Sequence, residues 1–468
     1  MALLSSILQN TLLVLVIVMV FNIIIFVHEL GHFLAARWRG LRVDRFQIWF
    51  GKPIWKKTIN GVQYGMGWIP AGGFVALPQM APMESIEGGN SSEDPLPPIS
   101  PLDKIIVAFA GPLFSILLAL LAGAIVWQVG KPKDFIASQE VGAVEPGSPA
   151  AKAGMLVGDT IVAINGEPVN GYMGPLDSIM AKIILSRGDR IEFTVKRPGV
   201  AEPIKLTSEF VIEKSEWFQR RGLRDVGFSE TRPSIVADTF PNSPAAKAGL
   251  KKGDEVLKID GIPLRSSPQF VYYLIEHNWP TVRLEVRSPD GNIREVSITP
   301  EKPLKPANLK PMAGIAWDQQ VGVDQTIVKP DPWTQVKESA MMMWVTVTSV
   351  ISPKSSIGVD HLSGPVGIAK HQFALLKTDF PWQRLLAFMV LFNVNLAILN
   401  MLPFPVLDGG HITLASLEWL ARRPVKARVL EVVQTAFALL LMGLMLYVTS
   451  KDIGDSFGRN REEVVFPK

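Results

Sequence analysis

Long stretches of this chain carry no charge, and their spacing organises the reading of the rest. From Ala2 to Val27 there is no Asp, Glu, Lys or Arg, and a helix of that length crosses a hydrocarbon core of about 30 Å. The apolar pattern continues from about Ile7 to Ala36. A second uncharged run, Ile105 to Gly130, is bounded by Lys104 and Lys131. A third, Leu385 to Leu407, is interrupted by Pro403 and Pro405 and ends against Asp408, and a fourth extends from about Val432 to Ser450. The pattern predicts a polytopic α-helical membrane protein of about four spans, in segments 1–36, 104–130, 383–411 and 412–468. The first run is expected to be a retained span and not a signal peptide. No Lys or Arg precedes Arg37, whereas a signal begins with a basic region.

Polar and irregular segments separate these runs. Within the 37–103 loop, residues 61–79 are apolar and too short to span, and Gly65, Gly67, Gly72 and Gly73 oppose a helix. Either a β-hairpin at membrane depth, beside protein or a cavity, or an ordinary cytoplasmic hairpin fits. In the first case its edge can pair with an extended substrate. Residues 80–101, rich in Pro, Ser, Gly and acids, read as a linker.

The middle of the chain, about 131–330, is soluble in character and repeats itself. Pro146–Asp159 recurs as Pro241–Asp254, an offset of 95 residues (159 against 254), and both copies run on into a short strand ending in Asn165-Gly166 or Asp260-Gly261. An Ala-rich helical turn, Gly-Asp, a strand and a tight turn are predicted in each. These copies resemble PDZ domains of the bacterial kind, which implies two inserted α+β domains at 131–230 and 231–304. They either bind extended peptide ends by strand addition or act as a steric cap. In the following segment, 305–382, Trp333, Val336, Ala340, Met343, Trp344 and Val347 fall at near-helical spacing. That predicts an amphipathic helix, on the outer membrane face or packed against the domains.

Charge sets orientation and excludes some functions. Basic residues collect between the first two runs (Arg37, Arg39, Arg42, Arg45, Lys52, Lys56, Lys57, Lys104) and between the last two (Arg422, Arg423, Lys426, Arg428). Both loops are expected to be cytoplasmic, with the domains and both termini outside. Net charge is only +4, with no basic tract bearing interleaved aromatics, so nucleic acid is not an expected partner; the lipid bilayer is. The chain has no cysteine, so a metal site must use His and carboxylate.

The chemistry begins where the first apolar run meets His28-Glu29-Leu30-Gly31-His32. His28 and His32 stand one turn apart with Glu29 between them, the H-E-x-x-H pattern in which two imidazoles bind Zn²⁺ and the glutamate is general base. An ionisable cluster inside a span is costly and is read as functional. A catalytic zinc needs a third ligand. His277, His361 and His371 fall on the outer side of the expected topology, which leaves Asp408 and His411; Asp408, followed by Gly409-Gly410, is the better choice. Asn400 precedes it in the same run. Its amide is a candidate donor to the substrate backbone or an oxyanion, against the plainer reading of helix–helix contact, which Asn393 and Asn395 fit better.

Taken together, His28-Glu29-Leu30-Gly31-His32, the run Asn400 to Gly409, the tandem repeat, Leu362–Lys370 and Ala110-Gly111-Pro112-Leu113 resemble the site-2 proteases of the bacterial RseP group over nearly the whole chain. The resemblance implies an intramembrane zinc metalloprotease of the inner membrane. Its substrates are single-pass membrane proteins, of the anti-sigma factor or remnant signal peptide type, cut after their outer domain is removed. It implies His28, His32 and Asp408 as metal ligands, Glu29 as the catalytic residue, Asn400 as a substrate contact, and PDZ domains that exclude bulky outer domains. Two departures are Trp49-Phe50-Gly51, where the group often has Gly-x-Gly, and a longer linker at 80–101. The rival class is a non-catalytic scaffold that holds a partner through its PDZ repeats, but a scaffold has no need of Glu29 and all three ligands. A zinc transporter is disfavoured, since one site with a general base is visible.

Overall fold

The computed structural model describes residues 2–80, 99–306, 308–422, 427–457 and 464–467. The expected linker falls mostly outside them. The chain divides into two compact units: residues 1–132, 327–348 and 363–452, and residues 133–326, 349–362 and 453–468.

The first unit is helical. Helix α1 (Ala2–Trp38) is 37 residues long, or about 55 Å at 1.5 Å per residue. Helix α2 (Pro101–Val129) starts where the Ser100 side chain accepts the Asp103 N–H and Pro101 takes the first position, and it ends at Gly130. Helices α3 (Pro332–Ile351), α4 (Pro365–Leu375), α5 (Pro381–Asn400), α6 (Asp408–Ala421) and α7 (Ala427–Phe457) follow. Four of these, α1, α2, α5 and α7, are long and apolar enough to cross a membrane, as the hydrophobic runs predict. Of the four, α2 is the most buried, with Val107 and Ala110 in one apolar cluster and Ala119 and Ala122 in another, so it is the central post.

The third run ends earlier than its apolarity suggests. Helix α5 stops at Asn400, residues 401–407 form a link of turns, and Asp408 opens α6. Pro403 and Pro405 cannot donate to a helix and disfavour it at the preceding residue. Asp408 is therefore the first residue of a new helix, not the end of a span.

The apolar, Gly-rich stretch is one arm of a larger hairpin. Strands β1 (Arg45–Ile59) and β2 (Val62–Ala76) are joined at Asn60-Gly61, both with positive φ, the turn that matches strand twist. β2 bends back so that Arg45–Ile48 pairs with Gln63–Met66 on one side and Gly73–Ala76 on the other. Phe46 and Val62 pack with Ala36, Leu41, Val107 and Ala110, so the hairpin lies against α1 and α2. Helix α3 also packs on spans: Val336 joins Ala119 and Ala122 of α2 and Val390 and Val394 of α5. Gln335 Nε2 donates to the Gly123 carbonyl at 3.0 Å. Trp333 and Trp344 are exposed.

The second unit holds the two copies, each with its own apolar core. In the first, β3 (Val141–Val144), β4 (Thr160–Ile164), β5 (Glu167–Pro168), β6 (Ile191–Lys196), β7 (Ile204–Ser208) and β8 (Phe228–Glu230) form a sheet ordered β5-β4-β6-β7 and a pair β3–β8. In the second, β9 (Val236–Thr239), β10 (Glu255–Ile259), β11 (Ile262–Pro263), β12 (Val282–Arg287), β13 (Ile293–Ile298) and β14 (Ile315–Trp317) repeat that order as β11-β10-β12-β13 and β9–β14. The expected end of the second copy at 304 leaves out β14, which reaches β9 only by long-range pairing.

The repeated Gly-Asp has a structural use. Buried Asp159 accepts from Leu156 N and from Arg197, and Asp254 does the same with Lys251 N and Arg294. Each carboxylate thus pins a turn to a strand end in its own copy.

Candidate metal centre

His28 and His32 project from one face of α1 because residues four apart in a helix are neighbours. Asp408 enters from the first turn of α6. Its backbone comes close because Gly409 and Gly410 have no Cβ; one at Gly409 would lie 2.3 Å from the Met401 carbonyl oxygen. The three side chains are brought together. His28 Nε2 and His32 Nε2 are 3.3 Å apart, His28 Nε2 is 3.3 Å from Asp408 Oδ2, and His32 Nε2 is 3.4 Å from Asp408 Oδ1. Ligands about 2.0–2.1 Å from a tetrahedral zinc lie about 3.3 Å from one another. The three donors fit that triangle.

The outer faces of the imidazoles are held as well. His32 Nδ1 is 2.8 Å from the Val107 carbonyl oxygen, which can only accept, so this nitrogen carries the proton and Nε2 presents its lone pair inwards. His28 Nδ1 is 2.9 Å from Ser115 Oγ. Asp408 Oδ2 is buried without a hydrogen bond, an expensive state for a carboxylate oxygen unless a cation serves it. A group of His28, His32 and Asp408 able to hold a metal ion is what these observations support.

Glu29 lines the same cavity, of about 400 Å³, with Asn400, His411, Phe50 and Gly73. His411, the other candidate ligand, is one turn beyond Asp408 and faces the cavity without joining the donor group. His277 and His361 are engaged elsewhere, on the Tyr273 carbonyl and on Gly358 N and the Arg221 carbonyl. Asn400, at the last residue of α5, brings Nδ2 to 3.4 Å from His28 Nε2. Asn393 is buried, and its Nδ2 donates to the Met389 carbonyl of its own helix at 2.8 Å.

Sequence reasoning missed the contribution of α2. Val107, Gly111 and Ser115 stand at four-residue intervals and turn one stripe towards α1. A Cβ on Gly111 would lie 2.2 Å from His32 Nε2 and 2.9 Å from His28 Nε2. On α1, a Cβ on Gly31 would lie 2.4 Å from the Ala110 carbonyl oxygen. Two glycines thus let the helices approach closely enough for α2 to grip both rings. The signal available was that i, i+4 stripe in an otherwise uniform apolar run.

Fold and site together define a polytopic membrane protein with β domains and a buried His-Glu motif facing an aspartate, the make-up of a membrane metalloprotease. The model of peptidase family M50 matches residues 16–444, and the chain belongs to that family. It is 28% identical to the Regulator of sigma-E protease RseP of Escherichia coli, over 91% of this chain and 95% of that one. It is 29% identical to a putative zinc metalloprotease of Neisseria meningitidis, again over 91% and 95%. A putative zinc metalloprotease of Vibrio cholerae is 28% identical over 92% and 96%. The protein is a metalloprotease, and the non-catalytic scaffold is set aside.

Proposed function

We propose that this protein cleaves peptide bonds within or near the membrane-spanning segments of single-pass proteins of a bacterial inner membrane, after their outer domains have been removed. One observation carries the reading: two imidazole nitrogens and a carboxylate from separate helices converge within 4.8 Å, one of the helices being an apolar span. His28, His32 and Asp408 are the ligands in this reading, and Glu29 the general base. A zinc ion held there would supply a Lewis acid that polarises the scissile carbonyl and makes water acidic near neutral pH.

The chain's own residues do the rest. Glu29 takes the proton of the attacking water and returns it to the leaving amine. Ser115 and the Val107 carbonyl keep both rings aimed while Glu29 works. Asn400 donates to the substrate backbone or the developing oxyanion beside His28. The Gly73–Ala76 edge, with Gly73 lining the cavity, offers backbone groups to an extended substrate. An unwound segment suits this, since a helix hides its own amides. The two β copies, read as PDZ domains, screen substrates by what remains outside the membrane. Anti-sigma factors or remnant signal peptides are fitting substrates.

The test is Glu29→Gln. The variant is expected to keep about one zinc per chain and lose cleavage of a truncated single-pass substrate by at least about 10²-fold. Unchanged cleavage would remove Glu29 from the mechanism.

A further inference from the structure

Residues 464–467 are tightly seated. Val465 forms an antiparallel bridge with Lys305: Val465 N donates to the Lys305 carbonyl at 3.0 Å, and Leu304 N donates to the Val465 carbonyl at 2.7 Å. The next side chain, Phe466, is 2% exposed and ranks among the largest fully buried side chains of the protein. Its ring lies 6.5 Å from that of Phe240, and a Cβ on Gly314 would sit 3.2 Å from its Cε2. One added strand residue followed by one pocketed aromatic is how extended peptides are recognised by strand addition.

The first copy shows that the pocket is particular to the second. Glu145 N donates to the Gly227 carbonyl at 2.8 Å, and Phe240 N donates to the Gly314 carbonyl at 3.0 Å. Ser148 Oγ donates to Gly227 and Ser243 Oγ to Gly314, both at 3.3 Å. These bonds equate Glu145 with Phe240 and Gly227 with Gly314. Where the second copy presents an aromatic wall, the first presents a carboxylate, whose Oε2 lies 3.3 Å from the Cβ position of Gly227. A buried phenyl ring is accepted beside Phe240 and would desolvate a charge beside Glu145.

We infer that the pocket walled by Phe240, Ser243 and Gly314 is a peptide-binding site of the second copy, and that residues 464–467 are its resident ligand in cis. Its ligand class is an extended peptide with an aromatic side chain next to a β-branched one, as in Val465-Phe466. The resident segment competes at an effective concentration on the order of millimolar, so a free peptide gains entry only when the segment is weakened. Neither site nor ligand depends on the protease reading.

The probe is a fluorescent peptide of the sequence of residues 462–468, titrated by anisotropy onto the full-length protein in nanodiscs. Phe466→Ala is expected to bind it at least tenfold more tightly than the unaltered chain, and a probe with alanine in place of the phenylalanine should bind neither. A truncation after Glu463, which touches no residue of the pocket, should bind it as Phe466→Ala does. Equal binding to altered and unaltered chains, or no binding to any, would overturn the site. Seating in cis is read separately, because the chain has no native cysteine. Lys305→Cys with Val465→Cys should give an intramolecular crosslink with a short bis-maleimide, and neither single variant should. Failure of the pair to crosslink would overturn the resident segment.

Discussion

At the scale of single residues, the most informative position is one with no side chain. Gly111 leaves the space in which the His28 and His32 nitrogens face Asp408, and a methyl group there would overlap the His32 ring. Alanine is also the better helix former by about 1 kcal/mol. Gly111→Ala is therefore expected to spare the fold and damage the site, with zinc content falling well below one per chain and cleavage falling with it. Elemental analysis alongside a thermal melt separates the two effects. Ser115→Ala leaves His28 Nδ1 without its partner and is expected to weaken zinc binding 10–100-fold, read by chelator competition without any activity assay. Neither residue belongs to a recognisable metal motif, because what matters is the face of a neighbouring helix that each occupies.

Among the elements, helix ends matter most. The prolines at 403 and 405 end α5 and free the chain to present Asp408 on α6. The turn is held from α7, where Gln434 Nε2 donates to the Pro405 carbonyl at 3.2 Å and Phe437 stacks on Phe404. At the far end of α7, Asp452 accepts from Gly367 N at 2.7 Å and so caps the start of α4. Gly364 and Gly367 leave room for that carboxylate, which gives the Leu362–Lys370 motif its use. A comparable clasp lies in the second unit. Arg221 Nε and Nη2 donate to Asp360 at 2.9 and 3.0 Å. These bonds hold the Asp360 carboxyl well below the usual carboxylate range. Because its folded value is depressed, this contribution is fully present above the unfolded value of about 3.9 and is lost as pH falls through the depressed one. Asp360→Asn is expected to lower the melting temperature at pH 7 and to narrow its gap from the unaltered protein as pH drops below about 4. A constant gap would assign Asp360 no titrating role.

For the whole molecule, orientation is the property most directly tested. Their basic residues are expected to hold residues 37–103 and the segment between α6 and α7 on the cytoplasmic side, with the β copies outside. With no native cysteine, single cysteines at Lys57 and at Asn292 should label oppositely in intact cells with a membrane-impermeant maleimide. Asn292 is expected to react directly and Lys57 only after permeabilisation. The reverse pattern would invert the topology and put the β copies on the cytoplasmic side, where they could not screen what remains outside the membrane.

The spans, the repeat and the first-helix motif were legible because each is a local pattern: a charge-free run, a recurring string, two histidines at helical spacing. A uniform apolar run hides where proline will end a helix, so α5 was read too long and Asp408 was placed on its end. Residues 61–79 read as a hairpin of their own because their partner strand, Arg45–Ile59, carries no matching signal. That Asp408 rather than His411 meets the imidazoles, that α2 fixes the tautomer of His32 and the position of both rings, and that Phe466 finds Phe240 are long-range matters. Each rests on packing between segments far apart in the chain, for which no local periodicity exists. The amino-acid sequence determined which residues are candidates for the chemistry, and the tertiary structure decided which of them meet.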